Sequence, residues 1–84
     1  MRTRFRIVGA ESGELLLRVV NLFVQQGLTV ETLSAVAADG GYNVEVEVLD
    51  GSPARVELVT EKLRALVLVR AVEAVADLPE RVAA

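Results

Sequence analysis

The chain of 84 residues contains no cysteine and no histidine. Without cysteine there is neither a disulfide framework nor a thiolate that could act as a nucleophile or a metal ligand. Without histidine the chain lacks the commonest general base and metal ligand of proteins at neutral pH. These absences remove the residues most often used for nucleophilic catalysis, general base catalysis and metal binding. No cofactor is expected.

Clustered basic charge and long apolar runs are also missing. Nine basic residues stand against twelve acidic ones, which gives a net charge of −3. A nucleic-acid-binding protein needs a basic patch, so no such partner is expected. No apolar run is long enough to span a bilayer, and the arginine-rich N-terminus is not followed by the apolar segment of a signal peptide. We therefore expect a cytoplasmic protein without a membrane contact.

Apolar residues, in contrast, are abundant: they make up 52% of the chain, and the mean hydropathy is +0.44. A chain of this length forms one small domain, which buries only about 60–65% of its unfolded surface. The surplus apolar residues need cover, and the pairing of two copies supplies it most simply. We expect a homodimer in which residues 1–77 form the domain and residues 78–84 form a C-terminal tail.

In the first half of the chain, local patterns predict a strand followed by a helix. Residues 4–8 alternate charged with apolar side chains, as in a half-buried strand. Ser12 is placed to cap a helix over residues 14–26, and Gly27 is placed to end it. Part of the apolar surface of this helix is expected to contact a partner. The stripe expected to face the core consists of Leu16, Val19, Val20 and Phe23.

The second half of the chain predicts two strands, a helix and a last strand. Residues 29–37 and 42–49 are rich in β-branched residues and are separated by the turn sequence Ala-Asp-Gly-Gly, as in a hairpin. Ser52-Pro53 is a strong helix start, with a capping side chain and a proline at the first helical position. Residues 67–75 are expected to form the fourth strand. The expected buried face of the second helix consists of Val56, Val59, Leu63 and Leu66.

This order of elements predicts an α+β fold, a ferredoxin-like βαββαβ two-layer sandwich. It has a four-stranded antiparallel sheet with both helices on one face, and its first and third strands are central. That pairing would place Arg4 and Arg6 opposite Glu45 and Glu47 on the uncovered face, as cross-strand ion pairs. Exposed pairs of this kind contribute only about 0.2–1 kcal/mol each.

The sequence has two candidate sites for chemistry, and the first consists of Glu45 and Glu47. Because they are two residues apart on a strand, their carboxyl groups have a spacing near that of an acid/base pair. A solvated strand face balanced by arginines is the favoured interpretation, since nothing nearby indicates a pocket that would raise a pKa.

The second place is the turn Ala10-Glu11-Ser12-Gly13, where a strand leads into a helix. Free backbone amides at a helix start can bind a carboxylate, such as that of an amino acid, and Gly13 allows close approach. Alternatively, Ser12 caps its own helix while Glu11 and Glu14 balance the helix dipole. On the residues alone the capping alternative is favoured, because two acidic side chains repel a carboxylate.

The stretch from Glu11 to Leu33 resembles the ACT domain of the acetolactate synthase small, regulatory subunit family. The shared features are the Glu-Ser-Gly turn, the Leu-Phe pair at 22–23 and the entry to the second strand at 29–33. The second half resembles the family as well, so the resemblance covers about residues 4–76. It implies a non-catalytic domain that binds a large catalytic subunit dependent on thiamine diphosphate. Because the chain ends after one such domain, it resembles the short form of that subunit.

The resemblance also implies an effector site at a dimer interface, where many family members bind valine. In the family pattern an asparagine stands at the positions of Ala10 and Thr29. An asparagine amide can donate to a carboxylate and accept from an ammonium group, whereas alanine can do neither. We therefore expect weak or absent valine feedback. The candidate effector-binding residues are Ala10, Glu11, Ser12, Gly13, Thr29 and Val30.

Three hypotheses about function follow. The leading one is a regulatory or activating subunit of the acetolactate synthase kind, in branched-chain amino acid biosynthesis. The second is a free-standing ACT domain that binds a small amino acid as a sensor at a dimer interface. The third, an enzyme that uses Glu45 and Glu47, is the weakest. Residues 29–37 are expected to form the dimer edge, because they carry little charge to protect an exposed strand.

Overall fold

The computed structural model describes residues 2–49 and 51–76. Within these ranges the chain forms four strands and two helices in the predicted order. Neither of these helices has the length and apolar content needed to cross a lipid bilayer. The predicted tail at 78–84 lies outside the described residues. The elements are β1 Arg2–Ala10, α1 Gly13–Gln25, β2 Thr29–Ala38, β3 Gly41–Leu49, α2 Pro53–Arg64 and β4 Val69–Val75.

The four strands form one antiparallel sheet in the order β2-β3-β1-β4, which confirms that β1 and β3 are central. Phe5 and Ile7 of β1 and the alternating valines of β3 are at most 1% exposed, because both helices cover this face. Phe23 of α1 packs edge-on against Phe5, with ring centroids 5.0 Å apart. The ferredoxin-like two-layer fold predicted from the sequence is confirmed.

Helix α1 is capped as predicted but is rotated from its predicted orientation. Gly27 follows it with a φ of +69°, a conformation that costs glycine little. The prediction that Val20 faces the core is wrong, since Val20 is 39% exposed, whereas Leu16 is partly buried and packs against the core as predicted. The rotation follows from α2, which packs beside α1 and covers one of its flanks. The buried residues of α1 are Leu15, Val19, Leu22 and Phe23.

Strand β2 lies at the edge of the sheet, and a bulge decides which of its side chains face the helices. The register against β3 shifts at Glu31, whose carboxylate lies 2.9 Å from the guanidinium of Arg2. Beyond the bulge, Leu33 pairs with Val46 and faces the helix side, whereas Ser34 faces the open side. Without the extra residue these two side chains would exchange faces.

The predicted hairpin between β2 and β3 is confirmed. Asp39 and Gly40 form its two-residue turn, with φ values of +53° and +74°. Positive φ at both central residues is characteristic of a type I′ turn, whose twist matches that of the flanking strands. The sequence Asp-Gly is among the best for this turn because both residues tolerate the left-handed conformation.

Helix α2 begins as predicted. The Ser52 hydroxyl accepts a hydrogen bond from the Arg55 amide at 3.3 Å, and Pro53 occupies the first helical position. Val56, Val59 and Leu63 are buried, as expected. The fourth predicted member of this face, Leu66, lies beyond the end of the helix and is half-buried.

The predicted start of β4 at residue 67 is wrong, because the strand begins at Val69. Residues 66–68 form a turn instead. The Leu66 amide donates to the Leu63 carbonyl at 3.1 Å, and the Val69 amide donates to the Leu66 carbonyl at 3.1 Å. Val67, at the tip of this turn, is 97% exposed. Its β-branched side chain favours a strand locally, but the hydrogen bonds that close α2 prevail.

The predicted ion pairs cross the open face of the sheet. Arg6 Nε lies 3.0 Å from Glu45 Oε1, and Arg4 Nη2 lies 3.3 Å from Glu47 Oε2. The expectation that both pairs are exposed is wrong for Glu47, whose side chain is 6% exposed, against 47% for Glu45. Coulomb interactions are screened less at low exposure, so the two pairs are not energetically equivalent.

Candidate functional site

The β1–α1 turn is held by its own hydrogen bonds. The Ser12 amide donates to the Ala10 carbonyl at 2.9 Å, and the Leu15 amide donates to the Ser12 carbonyl at 3.1 Å. The Ser12 hydroxyl accepts from the Glu14 amide at 3.2 Å, so the predicted cap is present. The Ala10 amide donates to the Leu68 carbonyl at 2.9 Å and thereby ties the turn to the loop that precedes β4.

Gly13 leaves the backbone of this turn accessible. Its amide is at the first helical position, where no intrahelical acceptor exists, and no described residue accepts a hydrogen bond from it. A Cβ placed on Gly13 would meet nothing within 4 Å, so a ligand can approach from outside. The turn can therefore offer a free backbone donor, with Ser12 half-buried beside it.

The electrostatics of the turn differ from the expectation based on two acidic side chains. Glu14 Oε1 lies 2.8 Å from Arg18 Nη2, one helical turn away, so its charge is compensated. Glu11 is exposed and remains the acidic group that opposes a carboxylate ligand. Beside the turn is a pocket of about 250 Å³, lined by Glu14, Arg18 and residues 66–68.

Thr29 and Val30, the other candidate residues, are remote from this turn. Thr29 and Arg2 both pair with Leu49, so Thr29 is level with the beginning of β1. Ala10 is at the other end of β1. Eight residues of strand, at about 3.3 Å each, place the two groups about 26 Å apart along the strand direction. Within one copy of the chain, the six candidate residues therefore form two separate groups.

Helix α1 also presents an exposed apolar stripe, formed by Leu17, Val20 and Val24 and called here the α1 stripe. Leu17 is 68% and Val24 is 65% exposed. The three residues are spaced i, i+3 and i+7, on the flank that faces away from α2. The apolar excess of this helix was evident from the sequence. The sequence placed Leu17 and Val24 on flanks that in part contact a partner, whereas it wrongly assigned Val20 to the core.

Glu45 and Glu47 do not form an acid/base pair. The two ion pairs with Arg6 and Arg4 hold their carboxylates along the sheet face. Within residues 2–49 and 51–76, no three acidic side chains are arranged to hold a metal ion. The two ion pairs thus support the ion-pair interpretation of this face.

These observations define a class of protein: a ferredoxin-like domain with an accessible helix start at the end of its first strand. The family model described as an ACT-like domain matches residues 1–80. The chain therefore belongs to the ACT-like domain family, a class of regulatory domain.

Comparison with curated protein sequences gives no match. Three solved structures illustrate the structural similarity of this chain to known proteins. The ACT domain from GTP pyrophosphokinase of Chlorobium tepidum has a TM-score of 0.79 at 19% identity, over 89% of this chain and 97% of that one. The acetolactate synthase small subunit from Thermotoga maritima has a TM-score of 0.78 at 18% identity, over 94% of this chain and 50% of that one. The C-terminal domain of the MgtC protein from Mycobacterium tuberculosis has a TM-score of 0.74 at 18% identity, over 90% of this chain and 86% of that one. At these identities the likeness shows the fold alone.

Proposed function

We propose that this chain is a non-catalytic regulatory subunit of the acetolactate synthase small-subunit kind. It acts as a homodimer and binds a large catalytic subunit that depends on thiamine diphosphate. The observation that carries the proposal is the α1 stripe, whose members are exposed on a chain of the ACT-like family. The sequence resemblance at the Glu-Ser-Gly turn and the likeness to the Thermotoga maritima small subunit support this choice of partner.

Two copies pair through β2 in this proposal. Its ten residues include one charged side chain, Glu31, and Arg2 holds that charge within the same copy. The opposite edge strand, β4, carries Arg70 and Glu73, and charged side chains discourage edge pairing. Leu33, 42% exposed on the helix side of β2, would gain cover in the dimer.

Antiparallel pairing of two β2 strands would also bring the two groups of candidate residues closer. A two-fold axis sets the Thr29 end of one strand beside the Ala38 end of the other. Ala38 is level with Ala10 across the sheet, because both pair with Gly41. The partner's β2 start would then lie at the same end of the sheet as this chain's β1–α1 turn.

The α1 stripe is the surface proposed to bind the catalytic subunit. Leu17 and Val24 are the most exposed members of the stripe. Full burial of a leucine or valine side chain contributes about 1.5–3 kcal/mol, so a few such residues can support an interface. This division assigns the β2 edge to the second copy and the α1 stripe to the large subunit.

Valine feedback is proposed to be weak or absent. Ala10 has no polar side-chain atom, and Thr29 offers a hydroxyl where the family pattern has an amide. The ligand contacts that remain are the backbone groups of Ser12, Gly13 and Val30. Isothermal titration of the dimer with valine should detect no binding at micromolar concentrations, and micromolar affinity would contradict this part of the proposal.

A free-standing amino acid sensor is the second candidate function. It is favoured by the accessible Gly13 amide and by the pocket of about 250 Å³ beside the turn. In this case a small amino acid binds between two copies and no synthase subunit associates.

Affinity purification of the tagged chain from its native host tests both functions. The regulatory subunit should co-elute with a large thiamine-diphosphate enzyme and raise its acetolactate synthase activity. Leu17→Glu in the α1 stripe should abolish co-elution, whereas Leu58→Glu should retain it, because Leu58 is on α2 and is also exposed, at 47%. A dimer that elutes with a bound amino acid and no large enzyme would establish the sensor instead. A monomer with neither would contradict both functions.

A further inference from the structure

A groove of about 350 Å³ runs between α1 and α2 on the outer side of the helix layer. Its volume is within the range of small-molecule sites, roughly 300–1,000 Å³. It lies on the flank of α1 that faces α2, and therefore away from both the α1 stripe and the β2 edge. The lining residues are Arg18, Asn21, Leu22, Gln25, Gln26, Lys62, Ala65 and Leu66.

The charge of this groove is opposite in sign to that of the whole chain. The chain has a net charge of −3, yet the lining includes two cations and no acidic residue. Lys62 forms no ion pair with any described residue, whereas Arg18 is held by Glu14. Lys62 is exposed to solvent, and its unpaired ammonium group beside a concave surface attracts small anions.

The remaining lining residues suit an amphipathic ligand. Leu22 and Leu66 supply apolar surface, and Ala65 lets a ligand approach the end of α2 closely. Asn21 and Gln25 contribute amides that can donate and accept, and no described residue bonds their side chains. The groove thus combines a cation, two adaptable polar groups and apolar surface.

We propose that this groove binds a small organic monocarboxylate with a short aliphatic body. Lys62 pairs with the carboxylate, and the aliphatic body packs against Leu22 and Leu66. Asn21 and Gln25 bond to the carboxylate or to a second polar substituent on the ligand. The groove adjoins the pocket beside the β1–α1 turn, with which it shares Arg18 and Leu66, but it contains none of the six candidate effector residues. Its occupancy does not depend on dimer formation or on a synthase subunit.

Titration of the full ¹⁵N-labelled chain with isobutyrate, and separately with isobutyramide, tests this proposal. The two probes have nearly the same shape, but only isobutyrate carries a charge. Isobutyrate should cause saturable shifts of the side-chain amide signals of Asn21 and Gln25 and of backbone signals at 62–66. Isobutyramide should bind about two- to fivefold more weakly, the change expected when one exposed ion pair is lost.

Lys62→Gln and Arg64→Gln provide a matched pair of variants. Both residues are exposed in the last turn of α2, but Arg64 pairs with Glu61 and does not line the groove. Lys62→Gln should weaken isobutyrate binding about two- to fivefold, while Arg64→Gln should leave it unchanged. Equal loss in the two variants, equal binding of the two probes or the absence of saturable shifts would overturn the proposal. Shifts confined to residues 10–14 would also overturn it and would assign anion binding to the β1–α1 turn.

Discussion

Ala10 and Thr29 lie at opposite ends of the same sheet, about 26 Å apart along the strand direction. Both occupy positions of the effector site that the family resemblance implies. One copy of the chain cannot bring them together, because rigid strands β1 and β3 hold the spacing. An effector that touches both positions therefore requires a second copy, and its binding would be linked to dimer formation.

The first prediction concerns the edge strand that joins two copies. Leu33→Lys on β2 should weaken the dimer at least about tenfold, because each copy then places a charge in the interface. Val75→Lys on β4 is the matched control, since Val75 and Leu33 are both 42% exposed on opposite edges of the sheet. Sedimentation equilibrium measures the dissociation constants. A loss of dimer in the Val75 variant alone would assign the interface to β4.

The second prediction concerns two glycines at the ends of the β1–α1 turn. A Cβ on Gly9 would lie 2.6 Å from the Leu68 carbonyl oxygen and 2.7 Å from Leu15 Cδ2, so Gly9→Ala should lower the free energy of unfolding by about 1–3 kcal/mol. Gly13→Ala meets no atom within 4 Å and should raise it by up to about 1 kcal/mol, because alanine is the better helix former. Urea denaturation measures both changes. Equal changes in the free energy of unfolding for the two substitutions would show that the atoms around Gly9 move to accommodate the added methyl group.

The third prediction concerns a buried hydroxyl. Thr3 is fully buried, and its Oγ1 has no hydrogen-bond partner among the described residues. Thr3→Val keeps the shape of the side chain and removes an unsatisfied polar atom, so stability should rise by about 1 kcal/mol. Thr60→Val is the control, because the Thr60 hydroxyl donates to the Val56 carbonyl at 2.8 Å. The control should gain no stability in thermal or urea unfolding. A destabilised Thr3 variant would refute this account of the site.

The fourth prediction separates the two ion pairs of the open sheet face. Glu47→Gln should lower the free energy of unfolding by about 1–3 kcal/mol, because it leaves Arg4 without its partner charge next to a buried position. Glu45→Gln should change it by less than about 1 kcal/mol, since Glu45 and Arg6 are each about half exposed. Urea unfolding at low ionic strength measures the difference. A larger loss of unfolding free energy for Glu45→Gln than for Glu47→Gln would contradict the prediction that the more buried ion pair contributes more.

Much of the candidate site was predictable from residues close together in the chain. Ser12 and Gly13 have capping and backbone functions that depend on a few neighbouring residues, and the structure shows both. The pairing of Glu14 with Arg18 also follows from a spacing of four residues. The remote position of Thr29 was not predicted, because the sequence resemblance shows which residues share a site but not which copy supplies them.

The order βαββαβ, the helix starts at Ser12 and Ser52 and the type I′ turn at 39–40 were determined by the sequence itself. Each depends on backbone preferences and hydrogen bonds within a few residues. The tertiary structure alone decided the rotation of α1 and the burial of Glu47. These depend on which surfaces distant elements cover, so no local pattern contains them. The bulge at Glu31 also depends on tertiary structure, because the pairing of β2 with β3 decides which face each side chain of β2 occupies.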